Sequence, residues 1–365
     1  MSVQKETIDT TGPVIPLAPG FRQEDAIAVQ DEPLVPDTPR SIEGAATRGG
    51  VRPGLIVFVV LLAIAIALPA ILKGFVVFQI TQTMVYAIGI LGLNLLTGFN
   101  GQFSLGHSAF YAIGAYTAAI LMEHAGIGYV WTLPVAALLC FVAGFLFGLP
   151  ALRLEGVYLA LATFALAAAT PQILKLSPFE HWTGGVQGIV ITKPDAPFGL
   201  KMSQDTWLYY FTLMVGLLLY ILARNLVRSR TGRAMMAIRD NPIAARSMGV
   251  NNSLYKASAF GVSAAFTGVA GALGAIIVQF VAPDSFTLVL SIGFLVGLVV
   301  GGVGWLPGAL IGGAFLVYVP NISESISKGL SGAVYGVLLI LVIYAMPSGA
   351  AGLLQAAVSR LRRRA

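Results

Sequence analysis

Long apolar stretches recur along this chain from residue 55 to residue 347, with short polar segments between them. A helix that crosses a bilayer needs about 20 predominantly apolar residues. The pattern therefore predicts an all-α membrane protein with about ten transmembrane helices. The predicted spans are 55–72, 75–97, 104–122, 131–150, 156–174, 206–223, 257–280, 286–303, 308–320 and 333–347. The third and ninth are short or begin at glycine-rich breaks, so a re-entrant or broken helix is the alternative for each.

The composition excludes a soluble globular protein. Hydrophobic residues make up 57% of the 365 residues, charged residues only 10%, and the mean hydropathy is +0.83. Soluble domains carry about 25% charged residues. The single cysteine, Cys140, lies within an apolar stretch, so this chain alone can build neither a disulfide framework nor a cysteine metal site.

Residues 1–50 differ from the rest of the chain. They contain four basic residues, eight acidic residues and six prolines between residues 13 and 39, with few large apolar side chains. Such a composition buries too little surface to offset chain entropy, so we expect a disordered cytoplasmic tail. The first apolar stretch begins near Leu55, later than the core of a secretory signal, so the first helix is expected to remain. The membrane domain is assigned to residues 51–355 and a basic cytoplasmic tail to residues 356–365.

Basic residues fall mainly on one side of the predicted topology. With both termini in the cytoplasm and ten crossings, 13 lysines and arginines after residue 50 are cytoplasmic and five are external. Positive charge concentrates on the cytoplasmic side of membrane proteins. The distribution predicts cytoplasmic N and C termini, as in a bacterial inner-membrane protein.

Several kinds of catalytic site are missing from the sequence. No lysine follows a glycine, so there is no P-loop, and the three histidines have no helical partner that would make a zinc site. All eight acids after residue 50 fall at predicted helix ends or in loops, which disfavours an ion-coupled carrier. We expect no enzymatic activity, no metal or other cofactor in this chain and no nucleic-acid partner.

The most informative polar segment is the docking loop, residues 224–256, a basic loop between two long apolar segments. Asn241 can cap a helix that begins at Pro242 and ends at Gly249. A helix of about two turns is marginal alone and needs a surface to pack on. Met235, Ile238 and Met248 are the expected apolar contacts to a protein partner. A basic segment lying on anionic membrane lipid is the alternative.

A second polar segment, Gly98 to His107, interrupts two apolar stretches with three glycines. Irregular backbone at membrane depth must line a cavity or be buried in protein. A helix starting at Ser104 would direct free N–H groups at an anion such as a carboxylate. The candidate translocation residues are Gly98, Asn100, Gly101, Gln102, Ser104, Gly106 and His107. A tight structural turn, with His107 as a hydrogen-bonded packing residue, is the alternative.

Two glycine patterns indicate close packing. Gly293, Gly297 and Gly301 are four residues apart, and so are Gly304, Gly308 and Gly312, a spacing that lets membrane helices approach closely. Static packing and a sliding surface both remain open. In the outer loop, Thr183 to Gly188 has the form Thr-Gly-Gly-x-x-Gly, which is expected either to fold this loop or to contact a partner.

Several of these segments resemble the permease subunits of branched-chain amino acid ABC importers, specifically the LivM-like half. They are LGLNLLTGFNGQFSLGHSAFYAIGAYTAA (91–119), ALRLEGVYLALATFAL (151–166), GRAMMAIRDNPIAARSMGV (232–250), PDSFTLVLSIGFLVGLVVGGVG (283–304) and MPSGAAGLL (346–354). The resemblance covers about residues 55–355. The Thr183 element also matches the family, although many members carry Asp or Asn at the position of Gln187.

The resemblance implies a type II-like ABC importer permease. Its expected partners are two ATPase subunits that bind ATP and Mg, a sibling permease, a periplasmic solute-binding protein and a small-molecule substrate. The residues expected to couple to the ATPase are Arg233, Arg239, Asp240, Asn241, Pro242, Ala244, Ala245, Arg246 and Gly249. The open alternatives are a permease for urea or short amides and a stand-alone channel or secondary carrier.

Overall fold

A computed structural model describes residues 53–152, 154, 156–197, 202–326, 328, 330–345 and 349–352. The predicted tails, residues 1–50 and 356–365, lie outside the described residues. Almost all described residues belong to one compact unit, which begins at Val60.

The described residues are mostly helical. The helices are α1 (Pro53–Ile71), α2 (Gly74–Leu93, continued by a π-helical turn Asn94–Gly98), α3 (His107–Glu123), α4 (Tyr129–Ala151), α5 (Val157–Leu174), α6 (Ser177–Thr183), α7 (Gln204–Arg228), α8 (Arg230–Asp240), α9 (Pro242–Ser247), α10 (Asn252–Val278), a 3₁₀ turn (Pro283–Phe286), α11 (Leu288–Gly301), α12 (Gly308–Ile326) and α13 (Ser331–Ala345). Two short strands, β1 (Ile189–Val190) and β2 (Phe280–Val281), pair antiparallel with Ile189 opposite Val281.

Seven helical segments among the described residues are long and apolar enough to cross a membrane: Gly74–Gly98, Tyr129–Pro150, Val157–Leu174, Gln204–Arg228, Asn252–Val278, Pro283–Gly301 and Gly308–Ile326. The chain is thus a multi-pass membrane protein. The other three predicted spans coincide with α1, with α3 of 17 residues and with α13 of 15 residues. The helix at the ninth predicted span, 308–320, is longer than expected, because α12 continues through Pro320 to Ile326.

Helix α10 is the centre of the bundle. It packs against α4, α3 and α2, and nearly every residue from Ala257 to Ile277 is buried or half-buried. Small side chains such as Ala264, Gly268 and Ala272 alternate there with larger ones. Small residues permit close helix contact inside a membrane, where burial in protein offers little gain over lipid.

The two glycine series face each other where α11 packs on α12. A Cβ atom at Gly301 would overlap the carbonyl oxygen of Gly308, and one at Gly312 would overlap that of Gly297. These backbones touch because neither side carries a side chain. The prediction of close helix packing is confirmed for these four glycines.

The links between helices gather at two opposite ends. At one end, the π-helical turn contacts the 302–306 turn and α8, through Asn94 to Trp305 and Arg239 to Gly98. At the other end, His124 bonds the carbonyl of His181, and β1 pairs with β2. Connections between helices therefore lie at both ends of the bundle, as expected for helices that cross the membrane one after another. The end that contains α8 and α9 is called the docking end below.

Candidate docking and transport site

The docking loop contains the short helix that the sequence predicts. The Oδ1 atom of Asn241 accepts hydrogen bonds from the backbone N–H groups of Ile243 and Ala244, at 3.1 and 3.0 Å. Pro242 takes the first helical position, where its missing N–H costs nothing. Gly249 ends the helix with φ +83°, and the N–H of Val250 reaches back 3.0 Å to the carbonyl of Ala245.

The exposed face of the docking loop differs from the expected one. Ile243 and Met248 are 79% and 86% exposed, whereas Met235 and Ile238 are 2% and 3% exposed. The expectation that Met235 and Ile238 contact a partner is therefore wrong. These two side chains lie one turn apart on α8 and turn towards the membrane domain, where Met235 joins a core cluster with Phe260. Met248 fits the expectation, and Ile243 is a residue that the sequence argument missed.

Exposed arginines accompany these two apolar side chains in the docking loop. Arg233, Arg239 and Arg246 are all exposed. Among the described residues, the Arg233 side chain donates only to the carbonyl of Arg228, at 3.2 Å. Arg239 instead bonds Asp240 through Nε at 2.9 Å and reaches the carbonyl of Gly98 through Nη1 at 2.8 Å. Arg239 thus joins the docking loop to the end of α2.

The polar break after Gly98 lies at the docking end. The Asn94 amide holds the π-helical turn against the next helix link, because its Nδ2 donates to the carbonyl of Trp305 and its Oδ1 accepts from the N–H of Gly304. Gln102 donates through Nε2 to the carbonyl of Lys256 at 3.1 Å. The break therefore contacts both sides of the docking loop as well as the link between α11 and α12.

A small pocket of about 190 Å³ opens between the break and the docking loop, where Asn100, Gln102, Arg239, Pro242 and Lys256 line it. Asn100 is 2% exposed, and neither polar atom of its side chain has a hydrogen-bond partner among the described residues. The structure thus brings together residues from the two segments that the sequence analysis singled out separately.

Helix α3 begins at His107 rather than at Ser104. The N–H groups at the start of α3 and just before it are already occupied, since that of Ser108 donates to Ser291 Oγ at 2.8 Å and that of Leu105 donates to Thr163 Oγ1 at 2.9 Å. The expectation that these groups point at an anion in a cavity is wrong for both. Protein hydroxyls supply the acceptors instead.

His107 is fully enclosed at the start of α3. Its Nδ1 lies 3.1 Å from Ser104 Oγ and its Nε2 lies 2.7 Å from Ser263 Oγ, while Ser263 donates to the carbonyl of Gly92. Only 1% of His107 is exposed. This geometry is that of a hydrogen-bonded packing residue which ties α3 and α10 to α2. A role of Gly98 to His107 in translocation stays a prediction.

At the opposite end, the Thr-Gly-Gly-x-x-Gly element forms a tight turn. Thr183 Oγ1 donates to the carbonyl of Leu174 at 2.8 Å and accepts from the N–H of Gly185 at 3.2 Å. Gly184 and Gly188 adopt positive φ angles of 70° and 77°. The turn leads into β1, so its residues are explained by the folding of this loop.

A larger pocket of about 420 Å³ lies between α2, α11, α12 and α13. Apolar and aromatic side chains line most of it, with Glu324 at its edge. Sequence reasoning missed Glu324 as a membrane-helix residue, because the ninth span was expected to end at Pro320. The structure places Glu324 in the last turn of α12 instead.

Comparisons with known proteins identify the family of the chain. Residues 75–343 match the family described as branched-chain amino acid transport system, permease component. The chain is 37% identical over 314 residues to the high-affinity branched-chain amino acid transport system permease protein LivM of Escherichia coli, covering 80% of this chain and 73% of that protein. The LivM protein of Salmonella typhimurium is 36% identical over 312 residues, covering 79% of this chain and 73% of that protein.

A second group of relatives is more distant. The permease protein LivH of Escherichia coli is 26% identical over 300 residues, covering 75% of this chain and 93% of that protein. No solved structure matches the chain. Because the family match covers most of the membrane domain and the first two relatives match about four fifths of the chain, this chain belongs to the permease components of branched-chain amino acid transport systems.

Proposed function

We propose that this chain is the transmembrane permease subunit of an ATP-driven importer, which moves branched-chain amino acids into the cytoplasm. The family match and the names of its relatives support the substrate class. A type II-like arrangement of ten crossings is part of the proposal, with α1, α3 and α13 added to the seven long apolar helices. Both termini then lie in the cytoplasm of a bacterium, and the docking end faces inward.

ATP hydrolysis is assigned to separate chains. The importer would comprise two ATPase subunits with their ATP and Mg, a sibling permease and a periplasmic binding protein. The observation that carries this proposal is the docking loop, where a capped helix presents Ile243 and Met248 beside exposed arginines. Exposed apolar side chains together with charged ones in one segment are typical of a protein interface. Anionic lipid would use the arginines, but it would not require a helix fixed by Asn241 and Gly249.

The proposed mechanism is alternating access. Closure of the ATPase dimer shifts α9, and the shift passes to the membrane domain through hydrogen bonds between residues that are far apart in the sequence. Arg239 transmits it to the end of α2 at Gly98, and Gln102 transmits it through Lys256 to the start of α10. Asn94 extends the connection to the 302–306 turn before α12. The membrane helices α2, α10 and α12 can then move together.

The test is to solubilise the tagged chain gently from its native membrane and to identify the co-purifying proteins by mass spectrometry. Recovery of two P-loop ATPases and a second permease is expected. A matched preparation that carries Asn241→Ala should recover less ATPase, because the loss of a helix cap costs about 1 kcal/mol. A homogeneous chain that transports solute in liposomes without any ATPase would contradict the proposal and would indicate a channel or carrier.

A further inference from the structure

The larger pocket contains an acid on a membrane helix. Glu324 lies in the last turn of α12, and its carboxylate makes no ion pair or hydrogen bond with any described residue. By contrast, Asp284 and Asp205 are paired with Lys175 and Lys193 at the same end of the molecule. Glu324 is exposed near the end of the helix, so its carboxylate is open to a cationic group of a ligand that enters the pocket.

The surroundings of Glu324 are suited to a ligand that is both charged and apolar. The pocket of about 420 Å³ falls within the range of small-molecule sites. Tyr86, Leu290, Leu316 and Tyr335 give it an apolar wall, and Ser285 and Thr287 add hydroxyl groups.

The pocket also lies at the start of a helix. Thr287 precedes α11, and its side chain makes no capping hydrogen bond there. The first N–H groups of a helix and their positive dipole end favour a carboxylate. The same cavity therefore offers a negative group at α12 and a positive helix end at α11.

We propose that this pocket is the station at which the solute rests within the membrane domain, and that it selects a zwitterionic amino acid with an apolar side chain. Glu324 accepts the α-ammonium group, the start of α11 receives the carboxylate, and the tyrosine and leucine wall holds the aliphatic side chain. This inference rests on the proposed import function and names the residues that recognise its substrate. Urea and short amides are neutral, so they would gain little from Glu324 or from the apolar wall.

Cysteine protection tests the pocket directly. Cys140 is the only cysteine of the chain and is buried, so an introduced cysteine reports with little background. Val289 lines the pocket and is 74% exposed, which makes Val289→Cys the reporter. The tagged chain is expressed with its partner subunits, and labelling by a membrane-impermeant methanethiosulfonate is followed on this chain by gel shift. Gln187→Cys, exposed at the same end but outside the pocket, is the control.

Leucine should slow labelling of Val289→Cys by roughly tenfold at a concentration about ten times its dissociation constant, since only about a tenth of the pockets are then empty. Urea and 4-methylpentanoate, which lacks the ammonium group, should not slow it. Leucine should leave Gln187→Cys unchanged. Adding Glu324→Gln should raise the leucine concentration for half-protection roughly 10- to 100-fold, as expected for the loss of a hydrogen bond to a charged group. Glu123→Gln, an exposed acid at the same end, should leave it unchanged.

Three results would overturn the inference: no labelling of Val289→Cys, no protection by leucine, or the same protection with Glu324→Gln. Leucine uptake by the same cells separates this outcome from a failure of the proposed function. ATP-dependent uptake without protection would reject the pocket alone. The absence of ATP-dependent uptake of every branched-chain amino acid would reject the import function itself.

Discussion

The guanidinium group of Arg239 donates a 2.8 Å hydrogen bond to the carbonyl oxygen of Gly98, which lies 141 residues earlier in the chain. The contact joins the last turn of α8 to the π-helical end of α2. Gly101 packs against the stem of the same arginine, where a Cβ atom would come within 2.8 Å of Arg239 Cγ. The docking loop and the membrane domain are therefore in direct contact at this point.

Arg239→Ala should uncouple transport from ATP hydrolysis. The change removes a hydrogen bond from a charged group, a contribution of about 1.5–3 kcal/mol, and we expect uptake to fall roughly tenfold or more while the ATPases still bind. Arg224→Ala is the matched control, because Arg224 is an exposed arginine near the end of α7 whose side chain makes no hydrogen bond or ion pair with any described residue. The measurement compares uptake and ATPase co-purification for both variants. Normal uptake by Arg239→Ala would show that the Gly98 contact transmits nothing.

Ile243→Glu and Met248→Glu should each weaken ATPase binding. An interface that buries either side chain gains about 1.5–3 kcal/mol from it, and a carboxylate there adds the cost of an unpaired charge. Binding should therefore fall at least roughly tenfold, measured as ATPase recovered per tagged permease. Val186→Glu makes the same change at an exposed valine on the opposite end and should have no effect. Equal recovery in all three variants would place the ATPase elsewhere.

Gly301→Ala should destabilise the membrane domain. The added methyl group would overlap the carbonyl of Gly308, and overpacking of this kind costs about 1–3 kcal/mol. The midpoint of thermal unfolding in detergent, followed by size-exclusion chromatography, should fall. Gly336→Ala is the control, since its added methyl group would meet no atom of another described element within 4 Å and alanine favours a helix. An equal midpoint for both variants would mean that α11 and α12 are not in backbone contact.

Single introduced cysteines should report the orientation of the chain. Gln187→Cys should react with an impermeant thiol reagent in spheroplasts, because its loop is expected outside. Met248→Cys, on the docking loop, should react only after the membrane is opened. Both side chains are exposed, and the native Cys140 is buried. The reverse pattern would mean that the membrane topology is inverted and that the docking loop lies outside the cytoplasm.

The sequence predicted features that depend on neighbouring residues. Asn241, Pro242 and Gly249 define α9 through bonds within ten residues, so their types and spacing were sufficient. The spacing of the glycines around Gly301 and Gly308 likewise predicted close packing. Each predicted span coincides with a helix, because apolar length alone selects helices in a membrane.

The features that the sequence did not predict depend on tertiary contacts. Met235 and Ile238 were predicted to contact a partner because the sequence does not show that α8 packs on the membrane domain. The sequence around Arg239 likewise does not indicate its distant hydrogen-bond partner. Pro320 suggested a helix end because its ring removes a backbone donor. The helix continues nevertheless, as membrane helices with proline often do, and this brings Glu324 to the pocket.

The most direct test of the account is amino acid uptake by a reconstituted complex. The chain, its sibling permease and the two ATPases are placed in liposomes, and the loaded binding protein is added. Accumulation of labelled leucine is then measured with and without ATP on the side of the membrane that carries the ATPase subunits. We expect accumulation that requires ATP hydrolysis and the binding protein and that falls strongly with Arg239→Ala. Leucine movement that proceeds equally without ATP, or without the ATPase subunits, would contradict it.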